Sequence, residues 1–329
     1  MVHSSITIAV DVMGGDFAPN EIVKGAHMAA DDAELNIVLV GKEDQINDEL
    51  GRLCLRENIG IKHAPEVIGM GEHAARAVRA KPNSSISIAA QLVKENKADA
   101  LVSAGNTGAT MSAALLKIGR IKGILRPAIG VVVPAPKKPV VLLDVGANAD
   151  CKPENMVQFA NMGRVYSSKV VGVSEPTIGL LNVGEEREKG SEFILNTHKL
   201  MESVTGFVGN VEGNDIFDAK VDVVVCDGFT GNVALKLIEG LTSAFFSEIK
   251  TAVKSSFFGK LGGFLLAPTF KTLKNKLNHE EYGGAYLLGI DGVCVIGHGN
   301  SNARAVRNAI MVAKRAVSEN IISEIKKSI

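Results

Sequence analysis

Two stretches of this chain share one pattern in one register, and that repetition constrains the fold more than any other feature. KADALVSAGNTG starts at Lys97 and KVDVVVCDGFTG at Lys220, so Lys97, Asp99, Gly105, Thr107 and Gly108 stand opposite Lys220, Asp222, Gly228, Thr230 and Gly231. Each copy opens with an apolar run that reads as a buried strand, turns through glycine and continues into a helical pattern. Such a turn leaves first-turn N–H groups without intrahelical acceptors, a setting that suits an anion, most often phosphate. The expectation is two equivalent strand–loop–helix corners bordering one cleft. The plainer alternative is two ordinary turns in which Gly and Thr serve turn chemistry alone.

Around these corners, strands alternate with helices from Ile6 onward. The pattern predicts an α/β fold: a mostly parallel, doubly wound sheet with helices on both faces, in a single two-lobed unit over 1–329. The strands in PAIGVVVPA and KPVVLLDVG are separated only by Ala135–Lys138, too short for a crossover helix, so this pair should be antiparallel or sit at an edge. Polar, glycine-bearing loops follow the strands at 11–16, 103–108, 144–150, 182–190, 209–215, 227–232 and 297–302. On one end of one sheet they would form a cleft rich in backbone donors, at the carboxyl ends of the strands.

Composition excludes several classes. With 46% hydrophobic residues and a mean hydropathy of +0.16 the chain is globular. Lys plus Arg balances Asp plus Glu at 36 each, and aromatics are 5% with no Trp, so neither nucleic acid nor a stacking platform is indicated. Cys54, Cys151, Cys226 and Cys294 are scattered, with no CxxC pair; Cys226 and Cys294 lie in apolar runs and read as core residues. No HExxH or clustered His/Cys set points to a metal, no GxxxxGK[ST] loop to a nucleoside triphosphate, and no GxSxG elbow to a serine nucleophile. GHGNSNA follows a strand but lacks the third small residue and the acidic residue ~20 positions on that a dinucleotide site needs. No cofactor is expected. The start of the chain has no cleavable apolar leader and no run approaches ~20 apolar residues, which reads as a soluble intracellular protein.

What remains is an anion-handling cleft without a protein nucleophile, suited to a reaction in which phosphate itself attacks. The other outlier is 249–279. It carries Lys250, Lys254, Lys260, Lys271, Lys274 and Lys276 with no acidic residue between Glu248 and Glu280, and it is rich in Phe. This basic insertion reads either as a helical hairpin or loop in a dimer interface, or as an exposed element that meets an acyl chain, a membrane surface or an acidic carrier protein. Lys254, Phe257, Phe258, Lys260, Phe264, Lys271 and Lys274 are the contact candidates.

The segments DVMGGDFAP, VSAGNTGA, RPAIG, LLDVGAN, LLNVGEEREKG, FVGNVEGNDIF, DGFTGN, EEYGGAYLLGIDG and GHGNSNARAVRNAI cover the chain in order from Ile6 to Ile310. Together they resemble the bacterial phosphate acyltransferases of phospholipid synthesis, the PlsX family. Val12 departs from the family's usual Ala at that position. The resemblance implies a fold similar to the isocitrate/isopropylmalate dehydrogenase and phosphotransacetylase architecture, and a homodimer. It implies transfer of a fatty acyl group from acyl carrier protein to inorganic phosphate, giving acyl phosphate. A membrane glycerol-3-phosphate acyltransferase would consume the product, so a cytoplasmic enzyme peripherally bound to the membrane is expected. A CoA-dependent phosphate acyltransferase, an NAD-dependent hydroxyacid dehydrogenase on a related fold and a non-catalytic anion-binding protein stay open as alternatives.

On this reading Ser103, Asn106, Thr107, Thr230 and Asn232 offer side-chain contacts to phosphate. They stand beside the corner glycines Gly105, Gly108, Gly228 and Gly231, with Gly14, Gly15 and Asn148 on neighbouring loops. Lys189 is the first choice for the compensating cation and Arg304 the second. Lys189, Asn232 and His298 are the catalytic candidates, His298 as a proton donor to the departing thiolate or as a structural residue. Asp11, Asp16 and Asp227 either orient donors or cap turns and helix starts.

Overall fold

A computed structural model of the chain describes residues 5–276 and 283–329. Eleven strands form one sheet: β1 (Ile6–Asp11), β2 (Leu35–Gly41), β3 (Ile59–His63), β4 (Ala100–Ser103), β5 (Ala128–Val133), β6 (Val140–Leu143), β7 (Ile178–Leu181), β8 (Phe207–Val211), β9 (Val223–Val225), β10 (Ala285–Leu288) and β11 (Val293–Ile296). Their spatial order is β3-β2-β1-β4-β11-β10-β5-β6-β9-β7-β8. One face carries α1 (Asn20–Ala29), α2 (Glu43–Leu50), α6 (Pro153–Tyr166), α7 (Glu192–Met201), α11 (Ala303–Ser318) and α12 (Ile321–Lys327). The other carries α3 (Ala74–Ala80), α4 (Ser85–Lys94), α5 (Thr107–Ala113), α8 (Asp215–Asp218) and the first turns of α9 (Gly228–Lys254). Covered on both faces, β5 and β6 are buried along their whole length, which is why AIGVVV and VVLL read as unbroken apolar runs.

The expected antiparallel pair is present: Gly130 to Val133 of β5 lie opposite Leu143 to Val140 of β6. The expectation that all the polar loops share one end of the sheet needs correction. β10 is antiparallel to both β11 and β5, and β5 is antiparallel to β6. These three reversals turn the parallel strands β6, β9, β7 and β8 against β4, β1, β2 and β3. The two sets are staggered, however. The row through Gly130 of β5 holds Val102 of β4, Val295 of β11 and Tyr286 of β10 on one side, and Leu143 and Val225, the last residues of β6 and β9, on the other. Carboxyl ends from the two halves therefore meet over the middle of the sheet, having approached from opposite directions. β10, which causes two of the reversals, is a short apolar strand that the alternation in sequence does not single out.

The Lys-x-Asp portion of the repeated pattern lies at the other ends of the strands and builds the fold. Asp99 accepts a bond from the Thr7 N–H at 2.8 Å, and its own N–H donates to the Thr7 carbonyl at 2.7 Å. Asp222 does the same with Thr177, accepting from its N–H at 2.9 Å and its hydroxyl at 2.7 Å and donating to its carbonyl at 3.0 Å. Each aspartate thus ties the start of its strand to the start of a neighbour. Lys97 pairs with Glu95 at the surface, and Lys220 with exposed Glu185 and buried Asp215.

Asp222 is buried, which by itself would raise its pKa. Bonds from Lys138 at 2.6 Å and from Thr177 outweigh that and hold it below the ordinary 3.8. A depressed carboxyl contributes stability that is present above 3.8 and lost as pH falls through the lower folded-state value. Asp222→Asn should therefore lower stability by about 2 kcal/mol at neutral pH. In urea melts across a pH series, the gap from wild type should close only below the ordinary carboxyl value; a gap independent of pH would refute the ionic account.

Candidate active site: a cleft between the two corners

At the end of β1 the Asp11 carboxylate is buried, accepting the Ser103 hydroxyl at 2.7 Å and the Met13 N–H at 3.2 Å. Burial raises its pKa, against hydrogen bonds from Ser85, Ser103 and Met13. The same serine oxygen accepts the Gly105 N–H at 3.1 Å. Gly14 is packed so tightly on this corner that a Cβ would lie 2.7 Å from the Gly105 nitrogen. The second corner is built likewise on Asp144, fully buried at the end of β6. It accepts the N–H groups of Ile129 (2.9 Å), Ala147 (3.1 Å) and Asn148 (2.8 Å), and the Asn148 side-chain amide at 2.9 Å. Burial again pushes the pKa up against these bonds. Asn148 hands its carbonyl to the Gly228 N–H at 2.8 Å and its amide to the Pro127 carbonyl at 2.7 Å. Reasoning from sequence missed Asp144. The signal was there: DVMG at 11–14 and DVGA at 144–147 both follow strands with the same Asp-Val-x-small spelling or a near variant of it.

The two corners border one cleft of about 590 Å³. Gly105, Thr107, Gly108 and Asp16 form one wall, Gly146, Gly228, Phe229 and Asn232 the other, and Gly297, His298 and Gly299 an end. Its floor is apolar, with Ile129 and Val131 of β5, Ala285 of β10 and Ile296 of β11. Asn232 is exposed and lies against Gly146. The Asn300 N–H points to His298 Nδ1 at 3.4 Å, which makes Nδ1 the acceptor and puts the ring proton of the neutral form on Nε2. Asp16 is tied in by its N–H to the Gly299 carbonyl at 2.7 Å, and Gly15 fits beside that same carbonyl.

Several candidates work inside the walls. Ser103 and Asn148 are buried clasps, as above. Asn106 caps α5 through the Ala109 N–H at 3.0 Å and holds the Met70 carbonyl at 2.7 Å. Asp227 caps α9, accepting the Thr230 N–H at 2.9 Å and the Thr230 hydroxyl at 2.7 Å, which turns Thr230 away to a side hollow. The corners thus differ in detail: the cap stands at Asn106 in one and at Asp227 in the other, so the second helix starts two residues earlier in the shared register. Lys189 and Arg304 do not line the cleft. Lys189 is exposed on the 182–190 loop, its carbonyl taking the Asn182 amide at 2.9 Å; Arg304 is exposed in the first turn of α11. The lysine that does line the cleft is Lys236, about two turns into α9, bonded to Glu239 at 2.7 Å. It was not singled out in the sequence.

The basic segment forms a helical hairpin. α9 continues far beyond the sheet and α10 (Phe257–Lys276) folds back on it, with Gly263 so close that a Cβ would sit 2.2 Å from Val253. Phe229, Val233, Leu237, Leu241 and Phe245, spaced by four on α9, are all exposed, as are Phe257, Phe258 and Phe264 at and beyond the bend. Lys254 and Lys260 flank the bend and are exposed. The side chains of Lys271 and Lys274 lie outside the described residues. Among the described residues no helix is long and apolar enough to cross a membrane.

This arrangement, two corners over the reversed middle of one sheet, is that of the phosphotransacetylase class of α/β folds. A phosphotransacetylase from Streptococcus pyogenes superposes with a TM-score of 0.64 at 14% identity, covering 96% of this chain and 94% of its own. A 4-hydroxythreonine-4-phosphate dehydrogenase from Klebsiella pneumoniae superposes with a TM-score of 0.55 at 14% identity, covering 95% and 100%. The family model described as "Fatty acid synthesis protein" matches residues 6–324. A phosphate acyltransferase of Pelotomaculum thermopropionicum is 52% identical over 323 residues, covering 98% of this chain and 94% of the relative. Another, of Heliobacterium modesticaldum, is 49% identical over 325 residues, covering 98% and 97%. The chain belongs to the phosphate acyltransferase (PlsX) family of fatty acid synthesis proteins.

Steric closeness in the second corner gives a direct check. A Cβ on Gly231 would lie 2.0 Å from the Asp144 carbonyl oxygen, whereas one on Gly240, also in α9, meets nothing within 4 Å. Gly231→Ala should cost about 3 kcal/mol and disturb the cleft. Gly240→Ala should raise stability by about 0.5–1 kcal/mol through helix propensity alone. Equal thermal melts for the two variants would contradict this packing.

Proposed function

We propose that this protein transfers a fatty acyl group from acyl carrier protein to inorganic phosphate, releasing acyl phosphate and free carrier. The observation that carries the reading is the single cleft between two matched glycine corners, with an apolar floor for the acyl carbons and donor-bearing walls for the oxyanion. Hydrogen phosphate is already anionic and needs positioning more than activation. Its oxygen attacks the thioester carbonyl, the C–S bond breaks, and the proton carried by hydrogen phosphate ends on the departing thiolate, so atoms and charge balance. A thiol of pKa near ~8.5 leaves readily, and a proton relay through His298 Nε2 would assist without being essential. First-turn N–H groups, the Thr107 hydroxyl and the Asn232 amide are the proposed phosphate and oxyanion contacts, and Lys236 supplies a nearby positive charge. Lys189 remains a proposed contributor from its neighbouring loop.

The hairpin has a separate role in this reading. Its exposed Phe side chains and flanking lysines suit an anionic lipid surface, where a membrane acyltransferase would take the product. Two copies of the chain would bury part of the α9 row at 229–245 as a homodimer.

Incubation with acyl-[acyl carrier protein] should release free carrier only when phosphate is present, and acyl-CoA should serve less well. Asn232→Ala should lower kcat/KM by about 10²-fold, in the range for loss of one oxyanion donor; Lys189→Ala with wild-type kinetics would remove that residue from the site. Carrier release that does not depend on phosphate would sink the proposal. For the hairpin, Phe257→Ser/Phe258→Ser/Phe264→Ser should abolish co-sedimentation with anionic vesicles while leaving turnover in solution intact. Unaltered co-sedimentation would exclude this tip as the lipid contact.

A further inference from the structure

A second cavity, of about 620 Å³, opens at the other end of the outer strands. It lies among strand starts: Pro176 and Thr177 precede β7, and Gly206 and Phe207 enter β8. The last turn of α6 and the end of α12 complete it. The Arg164 guanidinium lines this cavity without a hydrogen bond or ion pair among the described residues, and its Nε is closed off from solvent with no acceptor. Lys169 and Lys327, also in the lining, share one carboxylate, Glu324, at 3.9 and 2.6 Å. Glu175 is the other acidic group there.

Local backbone geometry explains the convergence of the cations. After Tyr166 the helix widens into a π turn over Ser167–Val171. An α-helix stacks residue i+4 over residue i, and the extra residue of a π turn brings i+5 to the same side. Ser168 and Lys169 therefore both join Arg164 on one wall. π turns of this kind recur at functional sites. The Nε–H of Arg164, closed off from solvent, has lost hydration that nothing in the described chain replaces.

We propose that this cavity binds a small phosphate monoester, with its phosphate between Arg164 and the Lys169/Lys327 pair and its organic part against Phe207 and Pro176. A carboxylate would leave donors unused. The guanidinium fork, two ammonium groups and the hydroxyls of Ser168 and Thr205 match the three oxygens and double charge of a phosphate monoester. The site lies at strand starts, remote in the topology from the strand ends that form the cleft, so it is independent of the transfer reaction.

Isothermal titration with phenyl phosphate tests the assignment. Wild-type protein should bind it with Kd on the order of 0.1–1 mM, and inorganic phosphate in place of phenyl phosphate should bind this cavity more weakly. Arg164→Gln should weaken phenyl phosphate binding at least tenfold, and Asn232→Ala, in the cleft, should leave it unchanged. Should Arg164→Gln fail to fold, Lys327→Gln on the exposed opposite wall decides: weakened binding supports the site and unchanged binding overturns it. No saturable binding of phenyl phosphate by wild type overturns it too. So does binding lost in Asn232→Ala and kept in Arg164→Gln, which would locate the ligand in the cleft.

Discussion

The cleft depends on the reversal of strand direction across β10 and β5. Were every strand parallel, the corners at Gly105 and Gly228 would stand side by side on one rim, as in an ordinary doubly wound sheet. Three antiparallel pairings instead aim the two halves at each other, and the stagger between them leaves a trough over the middle strands. Ile129, Val131, Ala285 and Ile296 floor that trough. An apolar floor excludes water, which strengthens any hydrogen bond made to a charge above it.

A trough between opposing strand ends holds its shape only if the loops around it are rigid. Asp11 and Asp144 provide that rigidity. Each is buried and gathers N–H groups from the loop that follows its strand; Asp11 reaches its corner through the Ser103 hydroxyl, Asp144 through the backbone of Asn148. Burying a carboxyl is costly, as the upward direction of both pKa values reflects, and the hydrogen bonds offset part of that cost. Because these groups are engaged within the walls, the repulsion that carboxylates would exert on a phosphate falls to Asp16 and Glu239, which line the cleft, and Glu239 is paired with Lys236. Asp227 is occupied as a helix cap.

Much of this architecture was legible in the sequence, since it rests on local rules. The alternation of strands and helices, the antiparallel pair forced by Ala135–Lys138 and the two glycine corners follow from periodicity, loop length and turn chemistry. The family resemblance, carried by long ordered motifs, led to the same fold. What the sequence hid was tertiary. The repeated Lys-x-Asp marked the two stretches as a matched pair, yet its role is in the fold, and a strand's length separates it in space from the glycines of the corners. Ser103, Asn106 and Asn148 are polar for the sake of the walls, and only three-dimensional neighbours distinguish a clasp from a ligand contact. Lys236 was inconspicuous because a lysine on a helix is usually solvated, and nothing local says that its turn borders a cleft.

Helix α9 joins the cleft to the hairpin. Its first turn forms a cleft wall, and its 27 residues reach about 40 Å at the usual rise, longer than the hydrocarbon core of a bilayer is thick. The hairpin bend and the cleft wall at the first turn are therefore far apart. Since the helix buries only Gly228, Gly231 and Leu235 among the described residues, packing against the sheet cannot account for its length. The row of Phe229, Val233, Leu237, Leu241 and Phe245 begins at the cleft wall and runs toward the bend. A chain that only anchored an enzyme would need apolar residues at the tip alone. An apolar row continuous with the cleft is what a surface needs if an apolar ligand or a second copy of the helix is to cover it along its whole length.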